Sequence, residues 1–333
     1  GVLAGNVKPG DVVAVVGTGA VGLASIMTTA LFGASRVIGI DTNAFRLEKA
    51  MEFGATDTVL AGDGARERVM ALTDGLGVDV AIGRAKITSP WHVEITKEDG
   101  SKQTLSTKSI VVATGAAPFV PPLPGLDDVG YLTSDTLWGL REQPERLVVL
   151  GGGPIGCELA QSFARLGSQV TQIEMLPRIM IREDEEVSAY AKKALEADGV
   201  TILTGHKALR CEKRGDVKTI VVESNGKETA IEFDALLCAV GRSARLKGFG
   251  LEELGVVVNR TVQVNEYLET NFPNILAAGD VAGPYQFTHT ASHQAWYAAV
   301  NALFGGFRTF KADYRVIPWT TFTEDKLDLR RAR

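Results

Sequence analysis

Two glycine loops of one pattern stand 134 positions apart, Gly17-Thr-Gly19-Ala-Val-Gly22 and Gly151-Gly-Gly153-Pro-Ile-Gly156. The chemistry such a loop serves is the seating of a dinucleotide pyrophosphate. Its first glycine permits a tight turn, its second lets the backbone approach the phosphates, and its third lets helix and strand pack closely. N–H groups at the helix start then face the anion. Each loop has the context this requires: an apolar strand before it, Val12–Val16 or Leu147–Leu150, and an apolar helix after it. Each is also followed by an acid that closes a second strand. Asp41 ends Arg36-Val-Ile-Gly-Ile-Asp and Glu174 follows Val170–Ile173, 24 and 23 positions beyond the first glycine of the respective loop. A carboxylate there accepts hydrogen bonds from a ribose diol and repels a 2′-phosphate, which favours NAD over NADP and equally suits the adenosine half of FAD. Arg46 and Arg178 nearby weaken that exclusion. The alternative for either loop is a turn that only packs helix on strand.

The elements that must position these loops follow from hydrophobic periodicity. Strands and helices alternate from Val12 to Ile82: a strand Val12–Val16, a helix Val21–Phe32, a strand Val37–Ile40, a helix Phe45–Phe53, a short strand Thr58–Leu60, a helix Ala65–Leu72 and a strand Val78–Ile82. This is the rhythm of a parallel, doubly wound half-domain. The pattern then changes to an antiparallel meander, with Trp91, Val93 and Ile95 on one face and an Asp99-Gly100 turn before Gln103–Leu105. An apolar strand Ser109–Gly115 and a linker with Pro118, Pro121, Pro122 and Pro124 close the segment. Residues 124–245 read as a second nucleotide-binding unit, with a helix Asp184–Glu196, a strand Val200–Leu203, a polar hairpin about Lys213–Thr229 and a strand Phe233–Val240. From 246 the chain is expected to return to the first domain, through a strand Ile275–Ala278 that ends in Gly279-Asp280 and a helix Thr288–Phe304. The expected fold class is α/β: two Rossmann-like nucleotide-binding domains, the second inserted into the first, with an antiparallel β-meander. The expected segments are 1–123, 124–245, 246–313 and 314–333.

Bulk composition narrows the function. With 333 residues, 45% hydrophobic and 23% charged, the chain can bury the cores of two or three globular domains. A net charge of −5 gives no electrostatic footprint for nucleic acid or an anionic membrane, so small-molecule partners are expected. Val12 to Ala34 holds no charged residue and is long enough to imitate a membrane span, but the glycine turn splits it into strand and helix. No basic start with an apolar stretch and cleavage site opens the chain, so a cytoplasmic protein is expected. Its start at Gly1 rather than Met suggests a fragment. Cys157, Cys211 and Cys238 form neither a disulfide framework nor a metal-ligand pattern and suit buried, structural roles. His289 and His293 stand four apart on one helix without a third ligand, so no metal is expected. His92 and His206 lie in polar surroundings and carry no signal.

From about Gly83 to Phe322 the chain resembles the pyridine-nucleotide disulfide oxidoreductase flavoproteins, near lipoamide dehydrogenase and mercuric reductase-like members. The resemblance is carried by Val111-Val-Ala-Thr-Gly115, Gly151-Gly-Gly-Pro-Ile-Gly-Cys-Glu158, Cys238-Ala-Val-Gly-Arg242, Ala277-Ala-Gly-Asp280 and Arg315-Val-Ile-Pro-Trp319. Residues 1–82 resemble the coenzyme domain of zinc-type alcohol dehydrogenases, through Val7-Lys-Pro-Gly-Asp-Val-Val-Ala-Val-Val-Gly-Thr-Gly-Ala-Val-Gly22, Arg36-Val-Ile-Gly-Ile-Asp41 and Phe53-Gly-Ala-Thr-Asp57. Joined, they read as a fusion or chimera, with natural, engineered and assembly-error origins all open. The flavoprotein resemblance implies FAD, with its pyrophosphate on Gly17, Gly19 and Gly22, its ribose on Asp41 and its ribityl chain on Gly279-Asp280. Thr114, Gly115 and Gly241 fall in the family's cofactor-binding motifs. It implies NAD(H) on Gly151, Gly153, Gly156 and Glu174, with Glu158 beside the nicotinamide; a solvated helix glutamate is the other reading of Glu158, and a turn cap that of Asp280. The family's cysteine pair and lysine are absent, as is most of its dimerisation domain, which 314–333 would begin. A family-type homodimer and disulfide or mercuric reduction are therefore not expected. The expected function is an NADH-linked flavoprotein oxidoreductase that passes electrons to a quinone, dye or oxygen. The alternative is an inactive nucleotide-binding chimera or fragment holding NAD at one or both loops. An alcohol dehydrogenase would need a catalytic domain not found here.

Overall fold

The computed structural model describes residues 9–10, 12–16, 20–62, 64–72, 83–323 and 327–332. It divides into two compact units, one of residues 1–84 with 95–103 and the other of residues 85–94 with 104–333.

The first unit carries β1 (Val12–Val16), α1 (Ala20–Leu31), β2 (Arg36–Asp41), α2 (Ala44–Glu52), β3 (Asp57–Leu60) and α3 (Ala65–Leu72). The three strands are parallel, with Val12 opposite Arg36 and Ile38 opposite Asp57. Successive residues of a strand point to opposite faces, and here both faces are covered. Val37 packs with Ile26, Ala50 and Ala55, and Ile38 packs with Val59 and Val69. Helix α2 starts where it does because the Asn43 side chain accepts the Arg46 N–H, satisfying one of the first-turn donors. The uncharged run Val12–Ala34 is divided between β1 and α1. Among the described residues no helix is long and apolar enough to cross a membrane. Gly17-Thr-Gly19 and the strand expected at Val78–Ile82 lie outside the described residues.

Next come β4 (Arg84–Ser89), β5 (His92–Thr96) and β6 (Lys102–Ser106), a three-stranded sheet in that order, with the expected turn closed by Lys97 N–H on the Ser101 carbonyl. They are followed by β7 (Ile110–Val112), β8 (Ala116–Pro118), α4 (Leu126–Val129), β9 (Leu132–Thr133), β10 (Arg146–Leu150), α5 (Pro154–Arg165), β11 (Gln169–Glu174), α6 (Glu185–Ala197) and β12 (Thr201–Thr204). The expected polar hairpin is a three-stranded antiparallel meander, β13 (Lys207–Arg214), β14 (Val217–Ser224) and β15 (Lys227–Phe233). It has two turns, at Gly215 and at Asn225-Gly226. The second holds φ of +52° and +76°, the left-handed pair an Asn-Gly hairpin turn requires. The chain ends with β16 (Ala235–Cys238), β17 (Arg242–Ala244), α7 (Leu251–Leu254), β18 (Ile275–Ala277), α8 (Thr288–Phe304), β19 (Val316–Thr321) and β20 (Leu327–Ala332).

A five-stranded parallel sheet, order β12-β11-β10-β16-β9, forms the middle of the second unit. The unbroken apolar run of β10 reflects burial on both faces. Leu147 and Val149 pack with Cys157 and Ala160 of α5, while Val148 and Leu150 pack with Ile220 and Phe233 of the meander. From Arg242, a few residues before the expected boundary at 246, the chain returns to residues 110–118. There β18 pairs in parallel with β7, Ile275 opposite Ile110, and β17 pairs antiparallel with β8. Ile87, Val112, Leu251 and Val281 share the core beneath.

Candidate functional site

The order of the five-stranded sheet reverses between β10 and β16, and the loops leaving these two strands lie side by side. In such a sheet ligands bind in the crevice outside the strand ends at this switch point. The second glycine loop occupies it. Its glycines have different duties. Gly151, at φ +116°, faces the Ala239 carbonyl so closely that a Cβ would overlap it, and a Cβ on Gly156 would overlap the Gly151 carbonyl. Gly152, which the motif does not single out, is crowded too, by side chains rather than backbone, with the Glu174 carboxylate and the Ile179 side chain each 2.9 Å from where its Cβ would be. Gly153 alone opens outward, with no atom within 4 Å of its Cβ position. It also precedes α5 without a side-chain cap, and Pro154 occupies the first turn. The remaining first-turn N–H groups are therefore left to a ligand, and their partial positive charge suits an anion. This is a cradle that fits a pyrophosphate.

Glu174 ends β11 beside the loop. Its Oε2 accepts the Gly152 N–H at 2.6 Å and its Oε1 the Leu176 N–H at 2.8 Å, so the carboxylate braces the loop and retains lone pairs for a ribose. Arg178, which the sequence sets against this acid, is committed elsewhere: it donates to the carbonyls of Met180, Ile181 and Glu183.

A second cleft, of about 640 Å³, lies where β7 and β18 end and α8 begins, lined by Gly115, Arg242, Gly279, Asp280, Thr288 and Ser292 among others. Gly115 and Gly279 hold φ of +68° and +81°. The Gly279 N–H donates to Gln294 Oε1 at 2.6 Å, and the Gln294 amide donates onward to the Gly283 carbonyl and the Tyr314 hydroxyl. Thr114 is turned to structure, its hydroxyl donating to the Arg245 carbonyl at 2.9 Å. Gly241 sits at φ +136°, its carbonyl accepting the Phe119 N–H. Helix α8 starts at Phe287 with no side-chain cap, and Thr290 in its first turn buries a hydroxyl oxygen without a protein partner. A cleft of this volume with an uncapped helix start fits a planar, polar-edged ligand such as a flavin.

Arg242 is the residue that sequence reasoning missed, although it ends a motif quoted above. It donates to the Ala116 carbonyl at 2.9 Å and to Ser134 Oγ at 3.0 Å, and its Nε lies 4.0 Å from Asp280 Oδ2. It thus ties the cleft to the loop after β9.

The other candidates are placed as follows. Gly22 lies in α1 and Asp41 is buried at the end of β2, where its Oδ1 accepts the Asn43 N–H at 2.9 Å and Arg46 stands 3.9 Å from Oδ2. Glu158, on α5, accepts the Phe322 N–H at 2.9 Å. His293 Nε2 bonds the Asp313 carbonyl and His289 stacks on Phe287, so the two rings are drawn to different neighbours. His206 and His92 bond the Thr204 carbonyl and Ser89 Oγ.

All three cysteines are buried and free. Burial pushes the thiols of Cys157 and Cys238 up to about 12 and that of Cys211 up to about 11. At neutral pH they stay protonated and unreactive, because the thiolate is the nucleophile. Native protein at pH 8 is therefore expected to leave Ellman's reagent uncoloured over minutes, with three thiols released on unfolding in guanidinium. Prompt reaction of even one would contradict these surroundings.

Geometry defines a class: a nucleotide-binding oxidoreductase fold with a glycine-loop cradle at one sheet's switch point and a second cleft at a helix start. The chain belongs to the pyridine nucleotide-disulphide oxidoreductase family, whose model matches residues 11–295. That match begins ahead of the first glycine loop and so takes in most of residues 1–82, for which the comparisons give no support to the expected alcohol-dehydrogenase domain. Among its relatives, a mercuric reductase of Staphylococcus aureus is 35% identical over 264 residues, covering 79% of this chain and 47% of the relative. A dihydrolipoyl dehydrogenase of Thermus scotoductus is 39% identical over 241 residues, covering 70% of this chain and 50% of the relative. The chain thus spans about half the length of these relatives. The solved structure of the HOCl-induced flavoprotein disulfide reductase RclA from Escherichia coli superimposes with a TM-score of 0.69 at 25% identity, over 95% of this chain and 76% of that one.

Proposed function

We propose that the chain is a cytoplasmic, NADH-linked flavoprotein oxidoreductase that takes NADH at the loop after β10 and FAD at the cleft beside α8, and passes electrons to a quinone, dye or oxygen. The observation that carries this reading is the placing of two helix starts that lack a side-chain cap, at Gly153 and at Phe287, each beside a parallel-strand end in one compact unit. When both cofactors are bound, NADH supplies a hydride and FAD accepts it. The protein's own residues bind and orient. Gly153 yields room for the pyrophosphate and Glu174 accepts from the adenosine ribose. Asp280 accepts from the ribityl chain, Gly115, Gly241 and Gly279 let backbone come close, and the start of α8 steadies negative charge on the flavin's N1–C2 edge. On sequence grounds Gly17, Gly19 and Gly22 are proposed to seat a dinucleotide pyrophosphate and Asp41 an adenosine ribose. No thiol takes part, in keeping with three buried cysteines. The partner is a small-molecule acceptor, which the net charge of −5 suits better than nucleic acid or membrane.

A second reading is favoured by the separate compact unit of residues 1–84 with 95–103. There the first loop keeps the NAD-type character of its alcohol-dehydrogenase resemblance, and the chain is a nucleotide-binding chimera without turnover.

The visible spectrum of purified, FAD-supplemented and desalted protein decides between them. A retained flavin band near the absorbance of bound FAD is expected. Colourless protein that still binds NAD would replace the first reading by the second.

A further inference from the structure

Strand β19 and the residue after it touch three other parts of their own compact unit. The Trp319 indole N–H donates to Glu183 Oε1 at 3.3 Å, in the segment between β11 and α6 on the nucleotide side. Its ring lies almost parallel to Phe287, with centroids 5.9 Å apart and planes 11° apart. Phe287 is the residue from which α8 starts at the cleft. Three positions beyond Trp319, the Phe322 N–H donates to Glu158 Oε1, on the helix that the glycine loop opens. One strand therefore fastens α5, the segment after β11 and the start of α8.

The loop cradle stands on the five-stranded sheet, while the cleft stands on β7 and β18. Arg242 ties these layers through Ser134 and Ala116, and Arg245 stands 3.7 Å from the Asp135 carboxylate. These ties all spring from one short stretch, residues 242–245. The contacts of β19 add a fastening from a separate part of the chain. Hydride transfer requires reacting atoms within about 3–3.5 Å, so the angle between the layers decides whether two bound rings meet.

We infer that Trp319 and Glu158 are positioning residues for the hydride transfer proposed above, holding the glycine-loop layer at a set angle to the cleft. The inference rests on that reading of the function. It gives Glu158 the role of a hydrogen-bond acceptor for the strand, where the sequence suggested a carboxylate beside the nicotinamide. The two roles differ in what glutamine does. A glutamine oxygen still accepts the Phe322 N–H, whereas it cannot replace a negative charge.

The test combines hydrogen exchange with rapid-mixing reduction on the full chain. Glu158→Ala and Trp319→Leu are expected to speed amide exchange across residues 178–184 and 316–322 about tenfold, a local opening without global unfolding. They are also expected to slow flavin reduction by NADH about tenfold, with NADH affinity kept within about twofold and dithionite reduction unchanged. Glu158→Gln should restore both signals, and Trp319→Phe, which keeps the ring stack and loses the N–H, should fall between. Unchanged exchange in the alanine and leucine variants overturns the inference. So does a Glu158→Gln variant as slow as alanine, or a loss of NADH affinity as large as the loss of rate. Should the chain hold no flavin, the proposed function fails, and the exchange arm alone decides whether β19 is the fastening.

Discussion

Replacing Gly156 by alanine is expected to lower the melting temperature by about 6 °C and to abolish NADH binding, whereas alanine at Gly153 is expected to abolish binding with almost no change in melting. The two positions belong to one motif but meet different surroundings. A Cβ on Gly156 would overlap the Gly151 carbonyl oxygen and stand 3.2 Å from the Gln172 amide, and both neighbours are themselves buried. Neither can retreat: the Gly151 N–H is bonded to the Ile173 carbonyl at 2.8 Å, and Gln172 donates to the Gly151 carbonyl at 3.0 Å. Overpacking a rigid site of this kind costs roughly 3 kcal/mol. For a body of this size that is about 6 °C. At Gly153 a methyl meets nothing within 4 Å and the φ of −77° suits any residue, so the only penalty to folding is the poorer capping of alanine, well under about 1 kcal/mol. The space the methyl takes is the space proposed for the pyrophosphate. Calorimetry with NADH fluorescence titration separates the two effects. Binding by Gly153→Ala at native affinity would mean that the loop only packs helix on strand.

The sequence made the skeleton of this arrangement readable wherever an element was long and buried on a regular face. The bounds of β1 and α8 agree with their periodicity, and the unbroken Leu147–Leu150 run announces a strand covered on both sides. Elements of two to four residues, such as β9, α4 and α7, are too short to show a period at all. Glu174 was legible because its partner, the glycine loop, stands at a recurring distance along the chain. Glu158 was only half legible. Its place on the helix followed from the motif, but its hydrogen-bond partner lies 164 positions away, and nothing local marks Phe322 as a donor. Arg242 shows the same limit, since its contacts reach back to residues 116 and 134 across intervening strands. Gly152 was hidden for another reason: the motif leaves its position free, and only the Glu174 carboxylate and the Ile179 side chain lying against it crowd a side chain there.

Native protein is expected to bind NADH about a hundredfold more tightly than NADPH, and Glu174→Ala to bring the two within about threefold of each other. A 2′-phosphate on the adenosine ribose would come to rest where Glu174 receives the diol, and two like charges about 4 Å apart near a protein surface repel by a few kcal/mol, reduced by solvent. Arg178 offers little compensation, because its guanidinium is engaged with three backbone carbonyls. Loss of the carboxylate has a second consequence that a purely ligand-facing acid would not produce. Gly152, buried in the loop, loses the acceptor for its N–H, while the exposed Leu176 N–H turns to water. An unsatisfied buried donor formerly bonded to a charged group costs about 2–3 kcal/mol. Glu174→Ala should therefore also melt several degrees lower and bind NADH itself more weakly. Glu174→Gln separates these terms: it removes the repulsion, keeps one acceptor oxygen and sets an amide NH₂ against the other N–H. Its preference should be relaxed like that of alanine, with about half the loss in stability. Parallel titrations of both nucleotides with calorimetry on the three proteins give every quantity needed. Tighter binding of NADPH by the native chain, or an unchanged ratio in Glu174→Ala, would show that the carboxylate only braces the loop and that the nucleotide's ribose lies elsewhere.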